Sequence, residues 1–93
     1  MIERPAAEQR VIDTFVKDGR LVLMPTKRSK LLIVLDHLAQ DFEPGRRYTE
    51  VEVNAVLRPY HDDVAALRRY LVDDHFLTRE NNVYWRSGGG VDV

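Results

Sequence analysis

Proline at position 59 is the strongest constraint on what this chain can fold into. It falls inside "TEVEVNAVLRPYHDDVAALRRYLVDD" (49–74), which would otherwise run on as one helix. A residue that precedes proline is pushed out of helical geometry. Arg58 therefore closes a short helix, about 50 to 58, and a second helix spans roughly 62 to 74. Thr49 and Glu52 stand at capping-box spacing: the hydroxyl takes a backbone N–H of the first turn and the carboxylate takes that of Thr49. Val53, Val56, Leu57 and Tyr60 share one face of the first helix, and Val64, Leu67 and Leu71 form the buried stripe of the second. Asp62 and Asp63 begin it, where carboxylates cap open N–H groups and meet the positive end of the helix dipole. Next, "FLTR" and "VYWR" read as two strands turned at Asn81–Asn82.

Upstream, Pro5 suits a first helical turn, and Val11, Ile12, Phe15 and Val16 recur at helical spacing over residues 5–18. Gly19 offers that helix a left-handed stop. "RLVLM" (20–24) is a short strand ended by Pro25, and Thr26 is placed to cap a helix over 27–42. Its core face carries Leu31, Leu32, Leu35, Leu38, Ala39 and Phe42. "EPG" (43–45) is a turn, and Arg47–Tyr48 a short extended piece. From residue 27 the order is helix, extended piece, helix, turn, helix, and a two-stranded ribbon. That is the order of an α+β winged helix, a helix-turn-helix followed by a β-wing. The expected organisation is a single domain over 1–86, with its core at 27–86, an N-terminal extension at 5–24, and a disordered tail at 87–93.

Ninety-three residues allow one modest core. The absence of cysteine excludes disulfides, thiolate metal sites and cysteine nucleophiles, and fits a cytoplasmic setting. The longest apolar run, "LLIVL", is too short to span a bilayer, so no membrane partner is expected. Ser29 and Ser87 lack a recognisable base and oxyanion hole, and no glycine-rich phosphate loop opens a helix. The chain is expected to be non-catalytic and to need no cofactor. "HDDVAALRRYLVDDH" (61–75) looks like a ligand cluster, but His61 and His75 stand about 21 Å apart along a helix. One metal ion cannot join them, so no metal site is expected.

The stretch 48–86 resembles the bacterial domain-of-unknown-function family 2087, and the upstream "GRLVLMPTKRSKLLIVLDHLAQDFEPGRR" is similar too. The residues that carry the resemblance are Tyr48-Thr49-Glu50, Glu52-Val53-Asn54, Leu57, His61, Asp63, Leu67-Arg68-Arg69, Leu71, Arg79 and Tyr84. It implies a winged-helix-like domain often associated with transcriptional regulators, and no established biochemistry. The family often has glycine where this chain has His75; histidine tolerates the left-handed conformation better than most side chains.

Two functions are expected from these features. The first is nucleic-acid binding of the transcription-regulator type, with double-stranded DNA as partner and two copies pairing to gain specificity. Its candidate residues are Lys27, Arg28 and Lys30 at a helix N-terminus, Ala66 and Arg69 on the outward face of the third winged-helix helix, and Arg79, Asn81, Asn82 and Arg86 around the wing. The second is a protein-interaction module for another regulatory protein, using Asp73 and Asp74. These two stand where the helix dipole disfavours carboxylates. The formal charge of −1 favours the second. Thr49, Glu52 and Arg68 are expected to be structural, Arg68 lying at the core edge beside Glu50 or Glu52.

Overall fold

The computed structural model describes residues 5–87, so the expected tail is outside it beyond Ser87. The helical stretch is interrupted at Pro59, but Arg58 is not pushed out of helical geometry: it keeps φ −54° and ψ −40°, and its N–H still bonds the Asn54 carbonyl. Helix α3 (Glu50–Leu57) ends before it, and α4 (Val64–Asp73) starts after a turn. The capping box forms: the Thr49 hydroxyl accepts from the Glu52 N–H at 3.2 Å, and the Glu52 carboxylate accepts from the Thr49 N–H at 2.9 Å. Asp63, and not Asp62, caps α4, accepting from the Ala66 N–H at 3.1 Å. Asp62 points to solvent and stands 3.5 Å from Arg20.

Ahead of these lie α1 (Ala6–Phe15), the two-residue strands β1 (Val16–Lys17) and β2 (Arg20–Leu21), α2 (Arg28–Ala39) and β3 (Arg47–Thr49). Strands β4 (Leu77–Glu80) and β5 (Val83–Arg86) follow α4. The described residues thus form a mixed α+β fold with two small antiparallel sheets, β1-β2 and β3-β5-β4. Asn81 and Asn82, both at positive φ, make the expected turn between β4 and β5.

Helix α1 is shorter than the apolar spacing suggests. Asp18 and Gly19, at φ of 52° and 78°, form a two-residue hairpin turn rather than a helix stop. Val16 consequently leaves the helix and pairs with Leu21. The strand expected over 20–24 is only Arg20–Leu21. The Leu21 N–H donates to the Tyr60 carbonyl at 2.8 Å, which fastens the hairpin to the α3–α4 turn. With Ile12 and Leu21 each 3% exposed, the N-terminal extension covers the core.

Thr26 does not cap α2; Lys27 occupies the cap position without a side-chain bond. The helix buries Val34 alongside Leu35, Leu38 and Ala39, while Leu31 and Leu32 are half-buried. Phe42, Tyr48, Val53, Leu57, Leu67, Leu71, Leu77 and Tyr84 complete the interior. On the sheet, Tyr48 and Tyr84 are register partners and both turn inward. Trp85 faces the other way and lies beneath the Arg47 guanidinium, 4.6 Å from the ring centroid.

Helix α4 ends on His75 at φ 67°. The Phe76 N–H bonds the Leu71 carbonyl at 2.8 Å and the His75 N–H that of Val72 at 3.1 Å, the paired pattern of a Schellman cap. A left-handed L-residue is strained by about 1–2 kcal/mol, while glycine gives back roughly 0.5–1 kcal/mol through its greater unfolded freedom. His75→Gly is therefore expected to stabilise the fold by roughly 0.5–1 kcal/mol, raising the thermal midpoint by about 2–8 °C. A midpoint that stays level or falls in calorimetry would show that the imidazole makes a compensating contact.

Candidate nucleic-acid interface

A cleft of about 270 Å³ opens between the first turn of α3, the outward side of α4 and the β4–β5 ribbon. Glu50, Ala65, Arg68, Arg69, Val72, Asp73, Arg79 and Tyr84 line it. Its back wall is fixed. Arg68, whose side chain is 18% exposed, stands 3.6 Å from the Glu50 carboxylate and donates to the Asn54 amide oxygen at 2.5 Å. Glu52 is not its partner; that carboxylate serves the capping box and stands 3.8 Å from Arg46. Tyr84 forms the floor, with its hydroxyl donating to Glu50 at 3.4 Å. Arg68 thus lies at the core edge, held by Glu50 and Asn54.

The mouth of the cleft is different. Arg79 lies over the Tyr84 ring at 5.8 Å and donates to the Asn82 side chain at 2.9 Å, with no carboxylate partner among the described residues. Arg69 and Asp73 are exposed and bond to no described residue. Helix α4 therefore presents one unengaged cation and one unengaged anion a turn apart, facing a second cation on the ribbon.

The other expected contact residues are distributed elsewhere. Lys27 and Lys30 are exposed but line a separate groove with Phe15, Leu23 and Met24. Arg28 is engaged, its guanidinium 2.8 Å from Asp74, whose side chain is only 9% exposed. That pair gives Asp74 a structural place between α2 and α4 and withdraws it from a contact surface. Ala66 is half-buried at the α4 cap. Arg86 turns inward and donates to the Phe42 carbonyl at 3.2 Å, so it ties β5 to the end of α2. Asn81 and Asn82 stand exposed at the ribbon tip. Ser87 is tied to the fold as well: its N–H donates to the Phe76 carbonyl at 2.9 Å.

Asn54 entered the sequence reading only among the residues that carry the family resemblance, without a role, although its spacing of four from Glu50 places both on one side of α3. Away from the cleft, the Tyr60 hydroxyl donates to the Asp41 carboxylate. Burial, then that bond and the nearby negative charge, push the Tyr60 phenol well above its ordinary pKa. It remains a neutral donor joining α2 to the α3–α4 turn. Among the described residues, no group of three or more histidines and carboxylates is placed to hold a metal ion. No helix among them is long and apolar enough to cross a membrane.

Fold and site together define a small α+β domain with a cationic cleft between a helix and a β-ribbon. The chain belongs to the family described as an uncharacterized protein conserved in bacteria (DUF2087), which it matches over residues 20–86, from β2 to the end of β5. No curated protein and no solved structure matches it.

Proposed function

We propose that this chain is a winged-helix nucleic-acid-binding protein of the transcription-regulator type, with no catalysis of its own. In this reading α4 enters the major groove of double-stranded DNA and the β4–β5 ribbon is the wing. The observation that carries it is the convergence of Arg69 on α4 and Arg79 on the ribbon at one open cleft, neither engaged by a carboxylate among the described residues. Phosphate and guanine are the groups in DNA that such arginines bind. The reading includes pairing of two copies, because one small domain makes few contacts.

The formal charge of −1 means that binding depends on this local patch and is easily screened. With roughly three to four phosphates neutralised per domain, the logarithm of affinity should fall with the logarithm of salt at a slope of about −3. Fluorescence anisotropy of a labelled random-sequence duplex, titrated with the protein from low to physiological salt, measures this. No binding at low salt would sink the reading.

A protein-interaction module is the competing reading. It draws on apolar side chains left in solvent on α3 and α4, Val51 at 75% and Tyr70 at 38% exposure, and on the exposed carboxylate of Asp73. It expects a protein partner whose recovery is lost on Asp73→Lys.

A further inference from the structure

We propose that Asp73 is a base-reading residue: with Arg69 it recognises a G·C-containing step in the major groove, Arg69 on guanine and Asp73 on a cytosine amino group. This rests on the DNA-binding reading above and assigns it a target chemistry.

Most charges on and around α4 already have partners. Asp63 caps the helix. Arg68 is held by Asn54 and Glu50. Asp74 is paired with Arg28, and Asp62 stands beside Arg20. Arg69 and Asp73 remain without a partner among the described residues, exposed at the mouth of the same cleft. An open carboxylate in a phosphate-binding cleft repels the DNA backbone, so it weakens binding to any sequence that offers it nothing.

A carboxylate only accepts hydrogen bonds. In the major groove the donors are the amino groups of cytosine and adenine. Adenine places its N7 acceptor beside its amino group, and that lone pair repels a carboxylate. Cytosine has only a C–H next to its amino group, so it is the base that suits Asp73. Arg69 pairs with the O6 and N7 acceptors of guanine. Four residues of helix advance about 6 Å, which spans roughly two base steps of 3.4 Å. The two side chains therefore address base pairs up to two steps apart. Arg79, steadied by Asn82 at 2.9 Å, is left for the flanking phosphate. Asp73 then contributes discrimination as much as attraction, because it penalises the wrong sequence.

The test is selection of bound duplexes from a random double-stranded library, run with the full chain and with Asp73→Asn. The affinity of each protein is then measured for the selected duplex and for a scrambled one. Asp73 is exposed and lies at the carboxyl end of α4, where loss of negative charge does not harm the helix; an unchanged circular-dichroism melt confirms that the variant folds. The wild-type protein should enrich a G·C step. Asp73→Asn should bind scrambled DNA more tightly and change the cytosine preference toward adenine, since asparagine supplies both a donor and an acceptor. Discrimination between the two duplexes should drop by about 5- to 150-fold. Enriched sites with no second G·C pair within two steps of the guanine, or sites that Asp73→Asn leaves unchanged, would overturn this inference and leave DNA binding standing. Absence of binding by both proteins would overturn both.

Discussion

Phe42→Ala is expected to remove a large share of the stability of this fold. Phe42 is 1% exposed and meets the Tyr48 ring edge to face, with centroids 5.1 Å apart and planes at 78°. It lies just beyond α2, facing β3, and its carbonyl accepts from Arg86 of β5. The ring is therefore the wedge between the long helix and the three-stranded sheet. Truncating a buried phenylalanine to alanine destabilises by about 3–5 kcal/mol, through lost transfer energy and the cavity left behind. A domain of this size has roughly 5–14 kcal/mol in all. The thermal midpoint should fall by at least about 12 °C, and the midpoint in guanidinium should fall with it. Leu32→Ala, at a half-buried position of α2, should do much less. A loss for Phe42→Ala as small as that of Leu32→Ala would show that the helix–sheet junction repacks, contrary to this account.

The features that were legible in the sequence are those whose cause is local. The Thr49–Glu52 capping box, the break at Pro59 and the Asn81–Asn82 turn each depend on residues within four positions of one another. The left-handed His75 was legible through the resemblance alone, because the family often has glycine at that position. Asp18–Gly19 is a local signal of the same kind, yet the apolar spacing through Val16 pointed to a longer helix. The hairpin prevails because Leu21 is anchored on the Tyr60 carbonyl, far away in sequence. Arg28 and Asp74 show the limit most clearly: 46 positions separate them, and no spacing rule links them. Arg86 was a readable case. It lies two positions from Tyr84, and alternation along a strand puts both on the same face. Its charge suggested solvent; its parity placed it against Phe42.

That distribution of charges separates two basic patches which looked equivalent along the chain. Arg69→Glu with Arg79→Glu is expected to abolish DNA binding, whereas Lys27→Glu with Lys30→Glu should weaken it only modestly. The first pair shares one cleft between helix and ribbon; the second lines a different groove beside Leu23 and Met24. Loss of a guanine contact of the kind assigned to Arg69 amounts to about 1–3 kcal/mol. Loss of the phosphate contact at Arg79 lowers the salt slope by about one. Reversing both signs places three acidic groups opposite the DNA where Asp73 alone stood, and a loss well beyond roughly 100-fold follows from these contributions together. Among the described residues neither pair is bound to a carboxylate, and Arg79 gives up only its exposed contacts with Asn82 and Tyr84, so both double variants should melt close to the parent, and anisotropy titrations at two salt concentrations compare them directly. Equal loss from the two pairs would mean that affinity comes from diffuse charge, and the cleft would lose its claim to be the interface. A larger loss from Lys27 and Lys30 would transfer that claim to the N-terminus of α2, where open backbone N–H groups also favour phosphate.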